Sequence, residues 1–433
     1  MTARMIESGR LRRALLGTTA IAVLTTSLVG VAPTAVAADA RSQQWYLDAM
    51  KAEEIWKKAT GKGITVAVID TGVDPDTPSL KGKVLKGWDA SDSKGDETDD
   101  YEGHGTTLAE IIVGSGAGGG LKGLAPDAKV IPYRVSNTER QNEQAVNAFD
   151  MEEAIRAAAD GDAQIINVSF GSDYYGEGER EAVKYAQNKG KLVFASSGNN
   201  GSKGNKKQYP ASYPEAVAVA ATTRDGVVAK YSQHGDTIDL AAPGSQIPGY
   251  CDKSLTKYCL SEGTSFSSAI VSASAALIWS MHPDWTANQV LRVLLESAGR
   301  GDDWKPGTIS EYAGYGVVRP NAHVSRGEGK PGDPNINPLT NKPTGGAAGA
   351  TPSATASGPA TSGTSTTAPS ATASTQAPDG KQTSGAPVAG STESAAADAD
   401  GGSGTGLVIG IAAAAVVVLA GAGFVIARRR RSA

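Results

Sequence analysis

Five short apolar runs alternate with amphipathic stretches between residues 43 and 325, and this alternation constrains the fold more than any other feature. Apolar runs of this length are typical of buried strands, and apolar residues at helical spacing indicate helices between them. The predicted strands are 64–69, 129–135, 165–169, 192–196 and 216–221, and the predicted helices are 49–59, 106–113, 145–159, 179–188, 264–281 and 286–297. We therefore predict an α/β domain whose parallel sheet is covered by helices on both faces.

The N-terminal 37 residues are typical of a secretory signal. Arg10, Arg12 and Arg13 precede an uncharged stretch, and Ala35 and Ala37 supply the small residues of a cleavage site. We expect a signal peptide at 1–37, and a retained membrane anchor is the alternative.

The C-terminal part predicts a tether and an anchor. Residues 327–404 are almost all Gly, Pro, Ser, Thr and Ala, a composition that buries too little apolar surface to fold. Leu407–Ala427 is uncharged over 21 residues, about 31 Å as a helix, which matches a bilayer core. Four arginines follow, and such residues stay on the cytoplasmic side. We predict a folded domain at 38–326 outside the cell, a linker at 327–404, a membrane helix at 405–427 and a cytoplasmic tail at 428–433.

Charge disfavours nucleic-acid binding. The chain carries a net charge of −4. This becomes −11 once four arginines and one glutamate of residues 1–37 and the four terminal arginines are set aside. A surface with this charge does not attract polyphosphate.

Few residues suggest a metal or a redox group. The acidic run 89–102 has no calcium-loop spacing, so we expect a solvated surface loop, with a cation site as the alternative. His234, His282 and His323 have no partnering Cys or His at metal spacing. Cys251 and Cys259 lie close together in an exported domain, so a disulfide is expected and two free thiols are the alternative. We expect no metal and no other cofactor.

Three segments carry chemistry. Asp70 ends the first strand, His104 opens a helix between Gly103 and Gly105, and Ser265 begins a long apolar helix. Each alone is compatible with a cap or a turn. A serine nucleophile, however, requires a base and an orienting carboxylate, and a helix start stabilises negative charge that develops nearby.

Together these segments resemble the subtilisin-like serine peptidases, which have Asp, His and Ser in this order along the chain. Five further segments match that family in order: 167–171, 195–201, 209–214, 241–244 and 282–286. Two positions depart from the family pattern: Thr107 stands where many relatives have histidine, and Ala269 stands where the serine helix usually has proline. Neither departure removes a catalytic group.

The resemblance implies a function for each matching residue. Ser265 is the expected nucleophile, His104 the general base and Asp70 the residue that orients it. Asn199 is the expected oxyanion-hole side chain. An extended peptide substrate is expected to lie along Ser169, Phe170 and Gly171.

The order of signal, peptidase domain, linker and anchor resembles the mycosins, membrane-bound subtilases associated with type VII secretion in actinobacteria. This resemblance implies an extracytoplasmic serine endopeptidase, anchored in the cell membrane by a single helix, that acts on proteins or peptides and associates with a type VII secretion membrane complex. The competing interpretation is a scaffold component of a secretion complex, in which catalysis is secondary or lost. An intact set of four catalytic residues favours the enzyme.

Overall fold

A computed structural model describes residues 40–91, 94–136, 148–301, 304–305 and 307–345. The strands are β1 (Thr65–Asp70), β2 (Trp88–Asp89), β3 (Lys129–Arg134), β4 (Ile165–Val168), β5 (Leu192–Ser196), β6 (Val217–Thr222), β7 (Leu240–Pro243), β8 (Ile247–Tyr250) and β9 (Tyr258–Ser261). Within these residues seven parallel strands form one sheet in the order β2-β3-β1-β4-β5-β6-β7. Since β3 and β4 lie on opposite sides of β1, the carboxyl end of β1 opens into the crevice where such sheets bind ligands.

Helices cover both faces of this sheet. They are α1 (Trp45–Ala49), α2 (Ala52–Ile55), α3 (His104–Val113), α4 (Ala148–Asp160), α5 (Glu177–Asn188), α6 (Thr264–Met281), α7 (Ala287–Ser297) and α8 (Pro320–Arg326). In β1, Val66 and Val68 pack towards α3, α6 and α7, whereas Ala67 and Ile69 pack towards α4 and α5. This two-residue alternation on a strand buried on both faces confirms the predicted α/β fold.

The predicted helix at 49–59 is wrong, because two short helices stand in its place. Lys51 separates α1 from α2 and adopts a left-handed conformation with φ of 59°. Tyr46 in α1 and Ile55 in α2 are both fully buried in the same core. The turn lets both helices contribute to that core, and packing therefore overrides local helix propensity.

The sequence did not predict the short strand at the edge of the sheet or the separate two-stranded hairpin. β2 has two residues, and β8 and β9 form a separate antiparallel hairpin in which Tyr250 pairs with Tyr258. β9 is only partly buried and lacks the apolar run that predicted the central strands.

α6 is the helix, among the described residues, whose length and hydropathy would suit a membrane. Nearly all of it is buried inside the domain, so it is a core helix. The predicted signal peptide at 1–37, membrane helix at 405–427 and tail at 428–433 lie outside the described residues.

The predicted start of the linker at residue 327 needs correction, since residues 327–345 pack on the folded domain. Pro334 O accepts hydrogen bonds from Thr286 Oγ1 and Asn288 Nδ2, both at 2.9 Å. Asn288 Nδ2 also donates to Thr344 Oγ1 at 2.8 Å. Composition indicated a linker, but specific polar contacts at the start of α7 hold this segment. Residues 346–404 lie outside the described residues.

Candidate active site

β1 places Asp70 at the carboxyl edge of the sheet with its side chain fully buried. Its Oδ1 accepts a hydrogen bond from Thr71 N at 2.8 Å and lies 3.2 Å from Thr71 Oγ1. The same oxygen lies 2.6 Å from His104 Nδ1. A buried carboxylate with these partners fixes the orientation of the imidazole ring.

His104 is the first residue of α3 and follows Gly103, whose φ of 78° is left-handed. The next residue must be glycine for the helix to approach β1. A Cβ at Gly105 would lie 2.1 Å from Gly72 O and 3.1 Å from Asp70 Cβ. Glycine at position 105 therefore sets the distance between His104 and Asp70.

A second buried carboxylate, Asp100, holds the start of α3. Its Oδ1 accepts from Thr71 Oγ1 and Gly103 N, both at 2.9 Å, and from Glu102 N at 3.2 Å. Its Oδ2 accepts from Thr106 N at 2.8 Å and Thr106 Oγ1 at 2.6 Å. Asp100 therefore caps α3. It also accepts a hydrogen bond from Thr71, the residue whose backbone N–H donates to Asp70.

Ser265 lies in the first turn of α6, four residues after the last residue of β9. Gly263 N, just before the helix, donates to Gly244 O at 2.9 Å. The Ser265 side chain is largely buried, and its Oγ lies 3.1 Å from His104 Nε2. His104 thus contacts Asp70 with one ring nitrogen and Ser265 with the other.

Asn199 stands beside Ser265 in the loop after β5. Its Oδ1 accepts from Thr264 N at 2.9 Å and Thr264 Oγ1 at 3.0 Å. Gly198 N in turn donates to Thr264 Oγ1 at 3.1 Å. Asn199 Nδ2 and Ser265 Oγ both lie next to Gly263, at 3.5 Å and 3.2 Å from the point where a Cβ on that glycine would stand, and both residues line the cleft.

Opposing influences act on the pKa of His104. Burial alone would lower it, but the charge and hydrogen bond of Asp70, together with the charges of Asp100 and Glu102, raise it above the ordinary value. The imidazolium form is therefore stabilised by the carboxylates around the site.

A cleft of about 500 Å³ lies over these residues. Ser169, Phe170 and Gly171 leave the sheet after β4 and line this cleft. The rings of Phe170 and Phe266 lie 5.9 Å and 6.3 Å from the imidazole of His104. The predicted substrate-binding residues therefore lie beside the predicted catalytic ones.

Buried Asn167 connects the cleft wall to the helix of Ser265. Its Nδ2 donates to Ser169 Oγ at 2.8 Å, and its Oδ1 accepts from Ser268 Oγ at 2.7 Å and Ser272 Oγ at 3.1 Å. These bonds join β4 to α6, so the wall and the helix move as one unit.

The structure joins Cys251 and Cys259 in a disulfide that closes the hairpin β8–β9. Gly249, Tyr250 and Ser261 of this hairpin line the cleft. The disulfide therefore crosslinks the two strands of a hairpin that lines the cleft.

The remaining histidines lie away from the cleft, but two of them do have a histidine partner. His282 Nε2 and His323 Nε2 are 3.0 Å apart, and the ring of His282 stacks on Trp285 with centroids 3.7 Å apart. His234 stacks on Tyr312 at 4.8 Å. Sequence spacing missed the pair because residues 282 and 323 meet only in the fold.

The expectation of a solvated acidic loop is wrong for two of its residues. Asp89 pairs with the fully buried Arg134 at 3.0 Å and 2.5 Å, and Asp100 is the buried cap of α3. In the part of the chain that the structure describes, no three His, Cys, Asp or Glu side chains group together as a metal site would require.

Sequence reasoning missed three residues that hold this site: Asp100, Thr71 and Thr264. An acid shortly before a helix is an ordinary capping signal. That signal does not reveal that the acid is buried or that Thr71 links it to Asp70.

Known proteins are similar to this chain over the region that contains these site residues. The subtilase family pattern matches residues 61–316. Thermitase of Thermoactinomyces vulgaris is 33% identical over 277 residues, which is 63% of this chain and 95% of that protein. The major intracellular serine protease of Bacillus subtilis (strain 168) is 35% identical over 239 residues, 53% of this chain and 72% of that protein.

Solved structures extend the similarity to proteins of secretion systems. The structure of MycP1 from the ESX-1 type VII secretion system aligns with a TM-score of 0.58 and 27% identity, covering 71% of this chain and 91% of that one. The MycP3 protease from the type VII (ESX-3) secretion system aligns with a TM-score of 0.57 and 27% identity, covering 67% and 90%.

Proposed function

The chain belongs to the subtilase family of serine peptidases, and we propose that Ser265, His104 and Asp70 are the residues with which it cleaves peptide bonds. One observation carries the proposal: His104 lies 2.6 Å from Asp70 Oδ1 and 3.1 Å from Ser265 Oγ, through different ring nitrogens. A nucleophile, a base and an orienting group in hydrogen-bond contact are the arrangement that acyl transfer requires.

In the acylation step, Ser265 Oγ attacks the scissile carbonyl carbon while His104 Nε2 takes the hydroxyl proton. The proton then passes from Nε2 to the leaving amine, and the C–N bond breaks. Asp70 keeps the other ring nitrogen protonated and stabilises the imidazolium that forms between these transfers. The carboxylates that raise the pKa of His104 favour the same charged intermediate. Water repeats the sequence to release the acyl group.

The negative charge that develops on the carbonyl oxygen of the substrate requires hydrogen-bond donors of its own. Asn199 Nδ2 and the backbone N–H of Ser265 would donate to this oxygen in the tetrahedral intermediate. Thr264 fixes the amide of Asn199 before substrate binds, so no reorganisation is needed at the moment of reaction. Loss of one such donor typically costs about 10²–10³ in kcat.

Substrate would bind as an extended strand beside Ser169, Phe170 and Gly171. Backbone hydrogen bonds of this kind supply affinity without regard to sequence, and side-chain pockets supply selectivity. Asn167 holds this wall to the helix of Ser265, so the scissile bond is presented at a fixed distance from the nucleophile.

We further propose that the peptidase is anchored in the cell membrane and works with a type VII secretion complex. The uncharged run Leu407–Ala427 with four following arginines supports a single span with the peptidase outside. The likeness to MycP1 and MycP3, whose structures are described as belonging to type VII secretion systems, supports the association.

The activity is tested on the full-length chain with an unstructured protein substrate. We expect hydrolysis by the wild type and none by Ser265→Ala. Ser274→Ala is the matched control, since Ser274 is buried in the same helix and its hydroxyl donates to Ile270 O at 2.8 Å. Equal turnover in wild type and Ser265→Ala contradicts the assignment, whereas an inactive wild type favours the scaffold interpretation.

The membrane arrangement is tested on intact cells stripped of their wall. Protease added from outside should cut between residues 346 and 404 and release the peptidase domain. A full-length chain that survives this treatment contradicts the proposed orientation.

A further inference from the structure

Glu110 is a fully buried carboxyl group on α3, the helix that begins with His104. Two tyrosines of the hairpin β8–β9 reach it. Tyr258 OH lies 2.6 Å from Oε2, and Tyr250 OH lies 3.1 Å from Oε1. The two hydroxyls are 2.7 Å from each other, and their rings stack with centroids 4.4 Å apart.

The contacts of this cluster require one more hydrogen than the two tyrosine hydroxyls supply. Three close oxygen–oxygen contacts join Glu110, Tyr250 and Tyr258, but the two hydroxyls supply only two hydrogens. A protonated Glu110 supplies the third, and every contact is then a hydrogen bond. Burial raises the pKa of Glu110 to about 7, so the group keeps this proton far above the ordinary range for a carboxyl.

The titratable groups that face Glu110 in the described chain are phenols. Tyr250 and Tyr258 come from the hairpin, and Tyr46 comes from α1, where the charge of Glu110 acts on it. Lys122, in the segment after α3, directs its ammonium group to the ring of Trp56 at 5.4 Å. Phenols stay neutral below about pH 10, so Glu110 is the member of this cluster that titrates near neutrality.

The cluster lies between the two catalytic elements. Tyr250 N donates to Thr107 Oγ1 at 2.9 Å, and Thr107 Oγ1 donates to Gly103 O at 2.6 Å, next to His104. On its other strand, the hairpin ends at Ser261, and two residues lead from there to Thr264 and then Ser265. The hairpin is therefore fastened to the helix of His104 at one end and continuous with the segment of Ser265 at the other.

We propose that protonated Glu110 is a positioning residue, which locks the hairpin β8–β9 onto α3 and so holds Ser265 in hydrogen-bond contact with His104. Ionisation removes the third hydrogen, leaves a negative charge on a buried carboxyl group and loosens the hairpin. This inference rests on the proposed catalytic function of Ser265 and His104.

The test measures kcat and KM of the full-length chain from pH 6 to pH 9. We expect wild-type kcat, relative to that of Glu110→Gln, to fall about tenfold as Glu110 ionises, with little change in KM, because a misplaced nucleophile slows chemistry more than binding. Glu110→Gln supplies amide hydrogens without titrating. Both proteins share the rise in kcat that follows deprotonation of His104, so the ratio of the two kcat values isolates the effect of Glu110.

Glu179→Gln is the matched control. Glu179 is likewise buried, accepts a hydrogen bond from Tyr213 OH at 2.7 Å and has its pKa raised by burial to about 7, but it lies on α5, across the sheet. The ratio of its kcat to the wild-type kcat should stay constant from pH 6 to pH 9. The proposal is overturned if the ratio of Glu110→Gln to wild type is equally constant, or if the Glu179→Gln ratio changes in the same way as that of Glu110→Gln.

A second measurement is independent of catalysis. The protection factor of the Tyr250 amide against hydrogen exchange should drop above pH 7 in the wild type and in Ser265→Ala, but not in Glu110→Gln. Unchanged protection in the wild type overturns the positioning role even if hydrolysis is normal. Loss of all hydrolysis with the expected exchange pattern would instead count against the catalytic assignment alone.

Discussion

Gly105→Ala is the substitution in which helix propensity and packing are most directly opposed. Position 105 is inside α3, where alanine is favoured over glycine by up to about 1 kcal/mol on helix propensity alone. The new Cβ, however, would lie 2.1 Å from Gly72 O. A carbon atom needs about 3.5 Å from such a neighbour, so the helix start must move by about 1.4 Å.

That movement carries His104 away from Asp70. The Nδ1–Oδ1 distance of 2.6 Å would become about 4 Å if the ring moves with the helix, which is beyond a hydrogen bond. We expect kcat to fall about 10²-fold, because a 1 Å displacement costs about that much. The free energy of unfolding should fall by about 1–3 kcal/mol, as for other overpacked sites.

Steady-state kinetics and urea unfolding of the full-length chain check both numbers. Gly301→Ala is the control, since a Cβ at Gly301 meets nothing within 4 Å. A Gly105→Ala variant that is as active as the wild type and more stable would refute the account of how α3 meets β1.

Three further changes test other contacts of the site. Asp100→Asn replaces one carboxylate oxygen with an amide NH₂, which cannot accept the hydrogen bonds that Asp100 now receives from Gly103 N and Thr106 N. Thermal unfolding should show a loss of about 1–3 kcal/mol, and kcat should fall with it. Unchanged kcat would show that this cap does not position His104. Glu102→Gln removes a negative charge that raises the pKa of His104, so the acid limb of kcat/KM against pH should move to lower pH, and a move to higher pH would contradict the assignment of that limb. The double substitution Cys251→Ser and Cys259→Ser removes the disulfide of the hairpin, and urea unfolding should show that the free energy of unfolding falls by about 2–3 kcal/mol. An unchanged free energy of unfolding would show that the disulfide does not stabilise the fold.

The central strands could be predicted from sequence because each is an apolar run buried on both faces. The bounds of β1 and β5 differ from the predicted runs by at most one residue. The proposed catalytic residues could be singled out because each ends a strand or starts a helix, positions that meet at one edge of a parallel sheet. Their roles, however, depended on a family resemblance, since spacing alone does not bring residues 70, 104 and 265 together.

What sequence could not provide are the contacts that exist only after folding. Asp100 and Glu110 look like ordinary surface acids along the chain, yet one caps α3 and the other meets two tyrosines about 140 residues away. The end of the folded domain was misplaced for the same reason. Residues 327–345 have a linker's composition, and only the polar contacts of Asn288 reveal that they are packed.

If Asp70, His104 and Ser265 act as one unit, the reactivity of Ser265 depends on His104, and labelling of the full-length chain by a fluorophosphonate probe measures this dependence. Peptide mapping by mass spectrometry should find the label on Ser265 in the wild type. The label should be lost in His104→Ala, where the serine is present but its base is removed, and retained in the Ser274→Ala control. Label on another serine of α6, or undiminished labelling of Ser265 in His104→Ala, would contradict the claim.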